Sequence, residues 1–294
     1  MKENAIIILV RGSLLDIKEL NCCLESINLH LKETLMDADI ILFHESQFEP
    51  YKSQIVIPNS EYFPAIYYSE ISLEIPNYYS SKVRKSIPTY FPHPTNSRHP
   101  GFSIGYRSMC RFFSGEVFTS PTLQRYLYLM RLDTDSSFIK GAEFSLFKWA
   151  NQHKIKYGFI KSSIQWDHPM VSESFKNTAL RILFTLKIKY FIRGLMVPSE
   201  RMYYTNFEIM YLPFFASNNW QYFFRKIDLT GGFYLRRWGD AIIRYMGVKS
   251  MVSKKERMEI PNGFIYKHGG TFDSGARLSR RTYFLKNQNR LGKP

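Results

Sequence analysis

The opening of the chain constrains its fold more than any other stretch. Ala5 to Val10 (AIIILV) is a continuous apolar run, as expected of a strand buried on both faces. It stops at Arg11-Gly12. Ser13 then starts a helix, with Asp16 three residues on as a variant of the capping box. Ile17, Leu20, Leu24, Ile27 and Leu31 follow at spacings of three and four, which gives the helix one apolar face. Asp39 to Phe43 (DIILF) reads as a second buried strand. Strand, helix, strand is a βαβ unit and implies a parallel sheet. No G-x-G-x-x-G follows the first strand, which disfavours the usual dinucleotide fold.

Tyr126 to Phe138 (YLYLMRLDTDSSF) adds the chemistry. An apolar run of strand length ends abruptly in Arg131-Leu132-Asp133-Thr134-Asp135. Open α/β sheets bind ligands beyond the carboxyl ends of their strands. Asp133 and Asp135, one residue apart, are a natural seat for a hard divalent cation such as Mg²⁺ or Mn²⁺ on a diphosphate. The same pattern also caps turns.

The 294 residues suffice for one large domain or two small ones. At 45% hydrophobic content a full core is possible, which disfavours wholesale disorder. The formal net charge of +15 favours anionic partners: nucleic acid, phosphorylated small molecules or an acidic membrane surface. A solvated basic surface is the plainer explanation. Cys22, Cys23 and Cys110 give neither a disulfide framework nor a C-x-x-C metal pair. No run reaches the roughly 18 apolar residues of a membrane span, and Ala5 to Val10 is too short for a signal-peptide core. The expected location is cytoplasmic or peripheral to a membrane.

Residues 44 to 100 are rich in Pro and Tyr and read as loop. In Tyr106 to Phe118, Arg107 and Arg111 lie four apart, so a helix would put both on one face. Such forks suit phosphate oxygens or a basic surface equally. Phe144 to Ala150 reads as a short helix and Lys156 to Ile160 as a strand. Arg181 to Val197 mixes aliphatics with Arg181, Lys187, Lys189 and Arg193, a pattern of either a core helix with a wet edge or a basic amphipathic helix on an anionic membrane. Glu208 sits between Phe207 and Ile209, where partial burial would shift its pKa toward one suited to chemistry. Gly231-Gly232 marks a turn. Trp238 and Asp240 flank a glycine and would hold a sugar ring by stacking and hydrogen bonding, unless the indole packs under the turn. From Ala276 on the chain is a basic tail.

Several stretches, taken in order, resemble the fungal Golgi α-1,2-mannosyltransferases, the retaining family that uses GDP-mannose. They are Tyr106 to Arg111 with Phe112-Phe113-Ser114-Gly115, the Arg131-Leu132-Asp133 turn, Asn206 to Ile209, Gly231 to Tyr234, and Arg237 to Ala241. The resemblance implies an α/β fold of GT-A type: a Rossmann-like mixed sheet flanked by helices, in one catalytic domain over residues 1–275 with a tail over 276–294. It implies that Asp133, where the family carries Glu followed by Pro, holds Mn²⁺ with His268, and Asp135 is placed to join them. Glu208 would stand near the anomeric carbon as nucleophile or stabiliser, with Tyr106 beside it. Asp240, with Trp238, would bind the acceptor, a glycan or glycolipid. Arg11, Arg107 and Arg131 would surround the nucleotide-sugar. The competing class, a nucleic-acid-binding protein, lacks any RNP-like, helix-turn-helix or zinc motif.

Overall fold

The computed structural model describes residues 2–93, 101–160, 165–166 and 169–269. Strands β1 (Asn4–Val10) and β2 (Ala38–His44) carry the two apolar runs, and α1 (Leu14–His30) joins them. They pair in parallel, with Ile7 opposite Ile41. Ser13 caps α1 by accepting from the Asp16 N–H. The five apolar residues at helical spacing are all buried.

The loop-rich stretch of residues 44–100 holds short elements, among them a helical segment at Ser81–Lys85. Within it, β3 (Ile66–Glu70) extends the sheet parallel to β2. It is an edge strand with no fully buried side chain, so it lacks the apolar signature of its neighbours.

The chain continues through α2 (Ile104–Ser114), β4 (Tyr128–Leu132), β5 (Ser136–Lys140), α3 (Leu146–Gln152) and β6 (Tyr157–Phe159). Then come α4 (Pro169–Leu186), α5 (Ile188–Leu195), β7 (Phe207–Tyr211), α6 (Asn218–Asp228), α7 (Gly232–Arg236), α8 (Asp240–Met251), β8 (Arg257–Glu259) and β9 (Ile265–His268). The main sheet has seven strands in the order β8-β6-β7-β4-β1-β2-β3. β7 runs antiparallel between β4 and β6, so the sheet is mixed, as expected. β5 and β9 form a separate antiparallel pair.

Each sheet face covers its own core. Ile6, Ile8, Leu42 and Met130 meet the apolar side of α1 and Leu146, Phe147 and Ala150 of α3. Ile7, Phe43 and Leu129 point the other way, toward Phe113 of α2, Phe223 of α6 and Ile243 of α8. Alternation along β4 sends Arg131 to this second face, where its guanidinium lies 3.6 Å from the Phe113 ring centroid.

The stretch read as one helix over Arg181–Val197 is two. It breaks at Lys187, whose backbone is extended (φ −159°, ψ 132°). α4 buries Phe175, Ala179 and Leu183 in the core, while α5 keeps a strongly two-sided character. Among the described residues no helix is long and apolar enough to cross a membrane. The tail expected over 276–294 lies outside the described residues.

Candidate active site

β4 ends at Leu132, and Asp133-Thr134-Asp135 turn the chain into β5. The Ser136 N–H donates to the Asp133 carbonyl (3.0 Å), and the Asp133 N–H donates to Ser136 Oγ (3.1 Å). β9 pairs with β5 so that His268 stands opposite Ser136. His268 Nε2 is therefore 3.0 Å from Asp135 Oδ1 and 3.5 Å from Asp133 Oδ2. One ligand atom from each of the three lies within 4.8 Å of the others. The Tyr204 hydroxyl hydrogen-bonds His268 Nδ1 at 2.9 Å and so fixes which nitrogen faces the carboxylates. Two carboxylates and an imidazole at this spacing fit a hard to borderline divalent cation such as Mn²⁺.

The electrostatics of the trio agree. Burial would raise the Asp133 carboxyl, but Arg131 and His268 outweigh it and hold the group well below the usual carboxylate range. Burial pulls the His268 imidazole down, and the hydrogen bonds it donates to Asp133 and Asp135 more than reverse that, lifting it to about 9. Glu19, on α1, faces the same cluster. Burial first, and then the Asp135 charge, push its carboxyl up to about 7.

Arg131 connects the trio to a second, deeper group. Its Nη1 lies 2.5 Å from Asp240 Oδ2, its Nη2 3.1 Å from Asp133 Oδ1, and Glu208 Oε1 is 4.0 Å away. Thr205 Oγ1 donates to the same Asp240 oxygen at 2.8 Å. Asp240 opens α8, where a carboxylate is favoured by the helix dipole. Glu208 is wholly buried on β7, and both its oxygens are held by Arg244, at 3.0 and 3.2 Å. Burial pushes the Glu208 carboxyl up, against the pull of Arg244 and Arg131.

The structure thus gathers Arg131, Asp133, Asp135, Glu208, Asp240 and His268 at the carboxyl end of β4. Tyr106, on α2, stands on the same side and packs its ring against Phe102 at 5.0 Å. One turn on, Cys110 faces Asp240; burial and then that carboxylate push the thiol well up. Arg11 directly follows β1 with its side chain 79% exposed, its Nε and Nη2 donating to Asp16 Oδ1 at 3.1 and 2.8 Å.

Two expected residues sit elsewhere. Arg107 is wholly buried and donates to the carbonyls of Ser103, Tyr234 and Pro88. Its neighbour Arg111 is locked to Asp228 and Glu116. Neither fork is turned toward the carboxylates. The Trp238 ring is buried, packs on Phe175 at 5.4 Å and donates Nε1–H to Ser174 Oγ at 3.2 Å. It leaves no open face for a sugar. Gly232 lies under it so closely that a Cβ would fall 1.9 Å from Trp238 Cε3.

Sequence reasoning passed over Glu19, Tyr204, Thr205 and Arg244. Arg244 had a legible signal, since it follows Asp240 by four residues and so shares its helix face. Tyr204 and Thr205 directly precede the Asn206–Ile209 block.

A mixed α/β sheet with a carboxylate–histidine cluster beyond a central strand is a fold of GT-A type with a seat fit for a divalent cation. A family model described as Glycolipid 2-alpha-mannosyltransferase matches residues 73–278. The chain belongs to this family. Among curated proteins it is 31% identical over 163 residues to the probable mannosyltransferase KTR3 of Saccharomyces cerevisiae, covering 53% of this chain and 40% of that protein. It is 26% identical to the alpha-1,2 mannosyltransferase KTR1 of the same yeast, covering 53% of this chain and 42% of that one. The chain thus matches less than half the length of these relatives. Two solved structures share its fold. Core-mannan synthase A of Aspergillus fumigatus, in a Mn/GDP form, superposes with a TM-score of 0.72 at 18% identity, over 91% of this chain and 75% of that one. The mannosyltransferase Ktr4p of S. cerevisiae in complex with GDP gives 0.69 at 19% identity, over 91% and 71%.

Proposed function

We propose that the chain, as a single catalytic unit over residues 1–275, is a metal-dependent retaining mannosyltransferase. It moves mannose from GDP-mannose to a hydroxyl of a glycan or glycolipid, in α-1,2 linkage. The observation that carries this reading is the Asp133–Asp135–His268 trio joined through Arg131 to Asp240. Family membership supports the activity, and the Mn/GDP form of the A. fumigatus synthase supports the metal and nucleotide. It disfavours a nucleic-acid-binding role.

Asp133, Asp135 and His268 hold the divalent cation, Mn²⁺ or Mg²⁺, which when bound supplies positive charge against the leaving nucleoside diphosphate. Arg11, exposed at the end of β1, closes on the same diphosphate by a charge-assisted hydrogen bond. The bond from the anomeric carbon to the diphosphate oxygen breaks, the acceptor oxygen bonds to that carbon on the same face, and the acceptor hydroxyl's proton passes to the departing diphosphate oxygen. Asp240 receives the acceptor hydroxyl on Oδ1, since Oδ2 is fixed by Arg131 and Thr205. Glu208 serves as a buried stabiliser of the positive sugar, its negative charge offsetting those of Arg131 and Arg244 beside the reacting centre. With both oxygens engaged by Arg244 it is not free to attack. Tyr106 flanks the reacting centre. Arg107 and Trp238 hold the scaffold.

The test is incubation of the purified chain with GDP-mannose, Mn²⁺ and a mannose-terminated acceptor, read by mass spectrometry. Addition of one hexose, lost when Asp133 is replaced by Ala, is expected. Hexose addition from UDP-glucose but not from GDP-mannose contradicts the donor assignment.

A further inference from the structure

A second face of the molecule gathers cations. From Phe175 to Ser199 the chain carries Lys176, Arg181, Lys187, Lys189 and Arg193, and no Asp or Glu. α5 lies in this stretch. Its inner side, Tyr190 and Gly194, is buried. A Cβ on Gly194 would meet Leu183 at 2.9 Å and Leu180 at 3.0 Å, so the helix is seated tightly on α4. Its outer side is apolar: Ile188 is 57% exposed, Ile192 56% and Met196 84%, with Leu195 between them. At about 100° per residue, Ile188, Ile192 and Leu195 fall within about 60° of one another, and Lys189 and Arg193 form one flank. Phe184, at the end of α4, adds an exposed ring 5.4 Å from Phe191. A contiguous apolar ridge on a surface marks a contact.

At the far end of this ridge opens a cavity of about 480 Å³, lined by Arg193, Met196, Tyr245, Lys249, Lys254 and Arg257 among others, with no carboxylate among its described lining residues. Among the described residues neither Arg193 nor Lys254 has an ion-pair partner. Arg257 spends one nitrogen on the last carbonyls of α8, those of Val248, Lys249 and Val252. Burial first, and then the charges of Arg257, Arg201 and Lys254, pull the Lys249 ammonium down. Arg193, Lys249, Lys254 and Arg257, brought together in this wall, are stabilised by an anion. α8 begins at Asp240 in the active site and ends here, about 16 Å away at a rise of 1.5 Å per residue, so the two sites are separate.

We propose that this face is a docking surface for an anionic lipid bilayer, with the α5 ridge entering the interface and the cationic cavity seating a lipid phosphate. A helix with one apolar and one cationic side lies in the plane of such an interface. The negative surface potential of the bilayer acts on the surrounding lysines and arginines as well. A second copy of the chain is a poorer occupant, because a two-fold contact would set these cations against themselves.

The full chain is sedimented with vesicles of phosphatidylcholine alone and of phosphatidylcholine with phosphatidylserine. About tenfold more is expected on the anionic vesicles, falling as salt screens the charge. The double variants Ile192→Ser/Leu195→Ser and Arg193→Gln/Lys254→Gln are each expected to lower that binding about fivefold or more, at an unchanged melting midpoint, because these side chains are exposed. Binding of both variants at the wild-type level overturns the proposal, as does equal binding to neutral vesicles. Stabilisation by inositol phosphate without vesicle binding assigns the cavity to a soluble phosphate and overturns the bilayer. So does self-association that the Ile192→Ser/Leu195→Ser variant abolishes in the absence of vesicle binding.

Discussion

Arg131 and Asp240, 109 residues apart, meet at 2.5 Å between Nη1 and Oδ2. Through this contact one buried guanidinium links the proposed acceptor carboxylate to Asp133 of the metal seat, 3.1 Å from its other nitrogen. Replacing Arg131 by Met would leave the buried carboxylates of Asp240 and Glu208 without this compensating charge. Breaking a buried pair costs about 3–5 kcal/mol. A fall in melting midpoint of about 6 °C or more is expected by calorimetry. A fall under about 2 °C would show that the hub carries little of the local stability.

His268 makes the metal seat pH-dependent. With its imidazole lifted to about 9, it is protonated at neutral pH in the metal-free protein. A folded-state pKa above the unfolded value gives stability that is present below about 6.5 and lost as pH rises through about 9. In chelator, the melting midpoint is therefore expected to fall over that interval. Added Mn²⁺ is expected to reverse the trend, since cation binding releases the proton and strengthens with rising pH. A chelated protein whose midpoint rises from pH 7 to 9 would contradict the paired imidazolium.

Glu208→Gln separates chemistry from binding. Gln keeps the shape and one acceptor for Arg244 but removes the charge. Turnover is expected to fall by about two to three orders of magnitude, while Mn²⁺-dependent stabilisation by GDP is retained. A folded variant with wild-type turnover would remove Glu208 from the mechanism.

Gly232→Ala tests the packing of Trp238. A methyl group placed 1.9 Å from the indole forces the turn apart. Overpacking of this kind costs about 1–3 kcal/mol. Trp238→Phe, in turn, is expected to lower stability while leaving the acceptor KM within about twofold, a change too small to mark a lost stacking contact. A large rise in that KM at unchanged stability would return Trp238 to the acceptor site.

Three strands in the middle of the sheet were legible because their burial on two faces writes itself as unbroken apolar runs, whereas β7, interrupted by Glu208, was not. β1, β2 and β4 carry it, and Asp133 and Asp135 could be placed because β4 stops so sharply. β3 carried no such mark, being an edge strand. Arg107 and Arg111 misled for another reason. Their spacing is that of a surface phosphate fork, but their partners, the Tyr234 carbonyl and Asp228, lie more than a hundred residues away. Pairing across that distance leaves no local pattern. Trp238 was ambiguous until Ser174 and Phe175 were placed around it. The Asn206–Ile209 and Arg237–Ala241 blocks became interpretable as a pair only through the family resemblance, since nothing in either one alone predicts that Glu208 and Asp240 share the surroundings of Arg131.

The most direct test of the central claim is a thermal-shift measurement with GDP-mannose, with and without Mn²⁺, on the wild type and on Asp133→Ala. A ligand that binds only the folded state raises its midpoint by mass action. The predicted result is a rise with GDP-mannose that requires Mn²⁺, exceeds that given by UDP-glucose and disappears in Asp133→Ala. A rise of equal size without Mn²⁺, or one that survives the substitution, would contradict the metal seat at Asp133, Asp135 and His268.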